Sequence, residues 1–301
     1  VGKKIAGAPS VGIYSENTNL STGTSSDVTV GEDGIAFYGK NSEITANGTV
    51  NFNNKGVLAY LENSKFVSHL GNISPTQNTM LYLKNSTAEM DGAGTKVDMT
   101  VADGYTGAYV EGNSSLTGVK TINLGRNSNG VFLKDAVFTS EIEEITGTQE
   151  NAKGILGIDS SLTNKTKISL SGDNSIGIYS NADSTKTVVN EENLILSGKK
   201  TLGVFLKGGQ SFENKADISI ADSADSQNPV IGVYTSSGTS PITLTSGNIE
   251  VGVKSIGVYS TTNSPVTMTG GNLHVKDEGM GIYKQNGSVT LGGNVLIDPH
   301  A

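Results

Sequence analysis

The sequence predicts an all-β fold, a parallel β-helix of about twelve rungs with three short strands in each, and three observations carry that reading. The first is a recurring motif, [Val/Ile]-Gly-[Val/Ile]-Tyr, with near-identical copies at Val11-Gly12-Ile13-Tyr14, Ile176-Gly177-Ile178-Tyr179, Ile231-Gly232-Val233-Tyr234, Ile256-Gly257-Val258-Tyr259 and Met280-Gly281-Ile282-Tyr283. The second is its spacing. With looser copies ending at Tyr38, Tyr60, Tyr82, Tyr109, Phe132, Ile158 and Phe205, the end positions fall 21 to 29 residues apart, about 24 on average, and nine of the ten tyrosines share the register. The third is apolar-polar alternation over four to six residues between turn formers, with no sustained helical period.

Each repeat reads in the same order. The tyrosine motif forms the first strand, and a turn rich in Ser, Asn, Gly and Asp follows it. A second strand comes next, such as Pro241-Ile242-Thr243-Leu244 or Pro265-Val266-Thr267-Met268, and after another turn a third, such as Asn248-Ile249-Glu250-Val251 or Asn272-Leu273-His274-Val275. A rung this thin buries little alone, so stability is expected from columns of Val, Ile and Leu stacked about 4.8 Å apart, twelve rungs making a rod of roughly 55 Å. Strict alternation in the first strand puts Ile231 and Val233 inside and Gly232 and Tyr234 outside, where each ring would lie over the bare glycine of a neighbouring rung. Asn53-Asn54, Asn85 and Asn286-Gly287 are expected to supply left-handed backbone at turns. Irregular stacking is expected at Ile158, where the tyrosine is replaced, and around Glu141 to Glu144, where charge crowds a strand. A leucine-rich horseshoe would need its L-x-x-L-x-L-x-x-N signature, and a propeller blade roughly 40 residues and four strands; neither is present.

Composition narrows the function classes. Val, Ile, Leu and Phe make 74 of 301 residues, above the roughly 20% below which highly charged chains stay disordered, so the chain folds. Apolar runs such as Val57-Leu58-Ala59-Tyr60-Leu61 fall far short of the roughly 20 residues of a membrane helix. A net charge of −8 with a single arginine, Arg126, argues against a nucleic-acid partner. Cysteine is absent, which excludes a disulfide scaffold and a thiolate metal site. The chain opens on Val1 in mid-repeat without a signal peptide, so residues 1–301 are expected to be one β-helix segment cut from a longer array at both ends.

Candidate binding residues come from two places. Tyr179, Tyr234, Tyr259 and Tyr283 form the best-preserved part of an aromatic ladder, and stacked rings suit sugar faces and protein hot spots; the same ladder also reads as purely structural. Long insertions precede Tyr109 (Asp91 to Lys96) and Tyr234 (Ala221 to Pro229), the latter carrying Asp222 and Asp225. Catalytic chemistry is poorly represented. A glycosidase would need two carboxylates held roughly 5 to 9.5 Å apart, and Asp217 with Asp222, or Glu191 with Glu192, are the pairs available. His69, His274 and His300 have no zinc spacing, and no G-x-S-x-G, Walker A, EF-hand or calcium-binding nonapeptide occurs. No enzyme activity, metal or cofactor is expected.

Ser-Ile-Gly-Ile-Tyr-Ser (Ser175 to Ser180) and Ser-Ile-Gly-Val-Tyr-Ser (Ser255 to Ser260), with Ser/Thr/Asn/Gly turns and lysine in place of arginine, resemble the passenger repeats of large fusobacterial autotransporter adhesins over essentially the whole chain. The resemblance implies a right-handed coil, type V secretion, and display on the cell surface through a C-terminal outer-membrane barrel beyond residue 301. It also implies attachment to host-cell receptors or glycans, or to other bacteria, with this segment monomeric and serving as a binding surface, a stalk or both. It names no binding residue, because the matching motif is a scaffold motif. A carbohydrate-active β-helix enzyme and a purely structural spacer are the alternatives.

Overall fold

The computed structural model describes residues 10–52, 55–70, 79–92 and 94–298. They wind as a right-handed parallel β-helix of about twelve turns, about 24 residues apart, with no helix. Among the described residues the strands lie on three faces. The first face is an unbroken sheet of 12 parallel strands, from Val11–Glu16 to Met280–Lys284. The second divides into sheets of 5 and 7 strands, parting between Ser115–Thr117 and Val137–Ser140. The third has a pair, Asp27–Val30 and Thr49–Phe52, and a run of 9 strands from Val97–Val101 to Asn294–Ile297. Residues 71–78, between the second-face strand Lys65–Ser68 and the first-face strand Leu81–Lys84, lie outside the described residues, as do Asn53, Asn54 and His300.

On the second and third faces the period of two holds: Ile242, Leu244, Ile249, Val251, Leu273 and Val275 are buried, each 4% exposed or less. On the first face the Val233 column lies inside as expected, with Val204, Val233 and Val258 fully buried. The glycine does not share the outer surface with the tyrosine. A Cβ built on Gly232 would stand 2.8 Å from Ile220 Cδ1, 3.4 Å from Ile218 Cγ2 and 2.6 Å from the Gly257 carbonyl oxygen, so its bare side faces the coil interior. The strand therefore turns two successive residues inward, Gly232 and Val233, and leaves Ile231 and Tyr234 half-buried on the outside. Third-face side chains fill that corner so closely that only a hydrogen fits, and this is what overrides strict alternation. Gly107, Gly130, Gly154, Gly203 and Gly257 repeat the arrangement, each facing the carbonyl oxygen of the next turn's glycine.

Register also corrects the repeat at Ile158. Phe132 pairs with Leu156, and Leu156 with Tyr179, so Leu156 occupies the ladder position and stacking continues without a slip. Charge at Glu141 to Glu144 does not disturb stacking either. Glu144 sits in register between Thr121 and Lys167, with Lys167 Nζ 3.0 Å from Glu144 and Lys96 Nζ 2.8 Å from Glu143. The register shifts fall instead between Val97 and Asp98 and between Leu206 and Lys207.

The corners explain the Asn and Ser content. After the first-face strands, Asn17, Asn41, Asn63 and Asn85 adopt φ between 48° and 56°, a region that asparagine tolerates better than most residues. The serine that follows bridges turns: Ser64 Oγ accepts the Ser42 N–H at 3.1 Å and donates to the Glu62 carbonyl at 2.8 Å, and Ser86 and Ser114 extend the series. Corner backbone that leaves the sheet ladder thus keeps its partners. Asn286 does not take this conformation; Gly287, at φ 92°, does.

Candidate functional site

The first face presents one ladder position per turn. Rings occupy it from Tyr14 through Tyr38, Tyr60, Tyr82 and Tyr109 to Phe132, Leu156 interrupts, and rings resume from Tyr179 through Phe205, Tyr234 and Tyr259 to Tyr283. Ring centroids lie 4.9 to 5.6 Å apart, and pairs such as Tyr38–Tyr60 (5°) and Tyr259–Tyr283 (12°) are stacked. Rings therefore cover rings, not glycines. Tyr82–Tyr109 and Tyr234–Tyr259 are tilted and Tyr109–Phe132 and Tyr179–Phe205 meet edge to face, so the five stacked pairs offer partners ring edges and phenolic oxygens, and open ring faces are confined to the other four. Tyr105, the one tyrosine off the register, packs partly buried against the core.

The columns beside the ladder divide the rod in two. Two residues after each ring, the first six turns carry Glu16, Lys40, Glu62, Lys84, Glu111 and Lys134, a strict alternation of sign. Lys40 pairs with Glu16 at 2.9 Å and Lys84 with Glu111 at 3.5 Å, and the Tyr14 hydroxyl donates to Glu16. From Ile158 and Asn181 onward the alternation ends. On the other side of the ladder, Thr106, Asn129 and Lys153 give way to Ile176, Leu202, Ile231, Ile256 and Met280. Tyr179, Tyr234, Tyr259 and Tyr283, together with Phe205, thus lie in the stretch where the flanking column is apolar and the alternation of charge has ended, with Lys207 beside Phe205 the one charged residue two places after a ring.

Asp222 and Asp225 do not join this strip. Asp222 Oδ1 accepts the Val253 N–H of the next turn at 2.9 Å and pairs with Lys276 two turns on at 3.3 Å, the backbone bond chiefly holding its carboxyl below the usual range. Asp225 closes its own loop, accepting the Gln227 N–H at 2.8 Å and the Asn228 amide at 2.6 Å. The other carboxylates proposed for catalysis are engaged in the same way. Asp217 accepts the Asn248 N–H at 2.7 Å, Glu191 pairs with Lys215 at 3.2 Å, and Glu192 accepts the Asn193 N–H at 3.0 Å. Among the described residues, no three His, Cys, Asp or Glu side chains cluster as a metal site. No family model, no curated protein and no solved structure matches the chain.

Desolvation by the stack raises the pKa of Tyr38, Tyr60, Tyr109 and Tyr179 above the ordinary 10.0, with Glu62 and Glu111 adding to it at the first three. A phenol whose folded pKa is raised holds its proton more tightly in the native state. Its contribution is therefore complete below the unfolded pKa and is lost as pH rises through the folded one. Stability is expected to fall above about pH 10, with phenolate absorbance appearing at higher pH than in the urea-unfolded chain. Coincident titration curves for folded and unfolded protein would contradict the buried stack.

Proposed function

We propose that this chain is a β-helical passenger segment of a bacterial cell-surface adhesin, and that it attaches to a receptor protein on host cells or on other bacteria. The observation that carries this reading is the strip over the last five turns. There a half-exposed aromatic column runs beside a half-exposed aliphatic one, from Ile176 and Tyr179 to Met280 and Tyr283, on a sheet with no covering layer among the described residues. Ring edges, hydroxyls and aliphatic side chains on a rigid sheet suit a protein surface better than a sugar, because the Phe205–Tyr234 and Tyr259–Tyr283 faces are stacked on one another and an aliphatic column runs the length of the strip. A solenoid supplies the reach, since length grows with turn number without changing the cross-section. Export, surface display and the outer-membrane barrel implied by the repeat resemblance belong to the same proposal.

The test is binding of the purified chain to host and bacterial cells by flow cytometry, beside two variants of confirmed circular dichroism. Ile231→Ser/Tyr234→Ser/Ile256→Ser/Tyr259→Ser is expected to bind at least ten-fold more weakly, and Lys40→Gln/Lys84→Gln to bind as the parent does. Equal binding by the strip variant would move recognition off this surface, and no binding by the parent would leave the segment a spacer.

A further inference from the structure

The first position of the third-face strands in the last three turns carries Asn248, Asn272 and Asn294, in register. Their amides form an exposed ladder: Asn272 Nδ2 donates to Asn248 Oδ1 at 2.7 Å, and Asn294 Nδ2 to Asn272 Oδ1 at 3.0 Å. Two residues along, the parallel column changes character. Asn123, Thr146, Ser169, Ile195 and Ser219 occupy it in earlier turns, Ile195 being the one large side chain among them, whereas three large side chains in succession, Glu250, His274 and Leu296, occupy it here. Larger side chains raise a wall beside the amides, and an open groove runs between the two columns, lined by these six residues. Because both columns face outward, the groove is a feature of the lateral surface and not of the end of the coil.

We infer that this groove is a subsite for a neutral oligosaccharide, distinct from the aromatic strip and independent of the reading proposed for it. Asn272 spends one N–H and one oxygen lone pair on its neighbours, Asn248 one lone pair and Asn294 one N–H, which leaves every amide of the ladder at least one N–H and one lone pair for a ligand. Glu250 has no hydrogen bond or ion pair among the described residues, unlike Glu144, Glu191 and Glu213, which meet lysines. His274 Nε2 is held by Asp298 at 2.8 Å, so Nδ1 is the ring's remaining polar atom. The set therefore repeats amide donors and acceptors one rung, about 4.8 Å, apart, close to the advance of one pyranose along an extended glycan. An anion would meet the Glu250 carboxylate. A hard cation, which takes six or more oxygens, would find only one carboxylate and three amide oxygens in the lining. A polyhydroxyl ligand uses both the amide donors and the carboxylate acceptor.

The test is a titration of the isotope-labelled chain with a panel of neutral tri- and tetrasaccharides, following the side-chain amide resonances of Asn248, Asn272 and Asn294. At least one oligosaccharide is expected to shift them saturably in the millimolar range. Glu250→Ala/His274→Ala is expected to weaken that binding at least ten-fold, and Glu250→Gln, which preserves shape, to weaken it measurably if the double variant does not fold. The strip variant, lacking Ile231, Tyr234, Ile256 and Tyr259, is expected to bind unchanged, which separates this site from the strip. Absence of any shift across the panel, or undiminished binding by the groove variants, would overturn the inference. Binding lost only in the strip variant would place the saccharide on the first face instead.

Discussion

Gly203→Ala is expected to destabilise the coil by about 3 kcal/mol, the upper part of the usual range for overpacking. The added Cβ would stand 2.4 Å from the Gly232 carbonyl oxygen and 2.9 Å from Leu196 Cδ1. Leu196 is buried and could give a little, but the carbonyl belongs to a strand paired on both sides, so relief would mean parting the sheet. Gly203 is not in the left-handed region, so the penalty is steric and not conformational. Gly157 supplies the control: a Cβ there meets nothing closer than the Tyr179 carbonyl oxygen at 3.6 Å. Gly157→Ala is expected to be neutral or to stabilise by up to about 1 kcal/mol through the unfolded chain. Urea denaturation of the two variants beside the parent, with hydrogen exchange to locate the loosened turns, checks both. Equal losses at the two sites would refute the claim that the column faces the corner packing.

The glycine column shows where sequence reasoning reached and where it stopped. Twelve turns, three strands each and the tyrosine register were legible because every turn repeats the same chemistry at one spacing, and parallel stacking turns spacing into contact. The facing of Gly232 was not legible. Alternation is a property of a straight strand, and the bend is set by Ile218 and Ile220, which precede Gly232 by 14 and 12 residues on another face. The seventh turn reads two residues late, at Ile158 instead of Leu156, because without a tyrosine the degenerate motif has no unique end between Gly154 and Ile158. Of the candidate residues, the four tyrosines share one strip, and the two aspartates serve turns. The Glu16 to Lys134 alternation and the Asn248, Asn272, Asn294 column were written in the sequence at the repeat spacing, but they are visible only when columns are read down the stack instead of along the chain.

Asn190→Ala is expected to cost about 4 kcal/mol, more than any exposed ladder residue would. Asn164, Asn190 and Asn214 lie inside the coil, 0%, 0% and 1% exposed. Asn164 Nδ2 donates to Asn190 Oδ1 and Asn190 Nδ2 to Asn214 Oδ1, both at 2.8 Å, while Ser140 Oγ donates to Asn164 Oδ1 at 3.1 Å and Asn214 Nδ2 to the Ala216 carbonyl. Removing the middle amide orphans a donor above it and an acceptor below, each worth roughly 1 to 3 kcal/mol when buried, and leaves a void. The next residue in the column is Leu244, so the polar stretch is bounded, and Asn190 in its middle has Asn164 and Asn214 as its side-chain partners. Asn190→Ala and Asn214→Ala should accordingly be less than additive, by about 1 kcal/mol or more in a double-mutant cycle, since the second removes a partner that the first had already stranded. Additive losses would mean that solvent reaches the amides and that the ladder is not a closed network. A closed one bears on register: stacking Asn214 on a turn without asparagine at this column position buries an unpaired amide, so the ladder favours asparagine-bearing neighbours among near-identical turns.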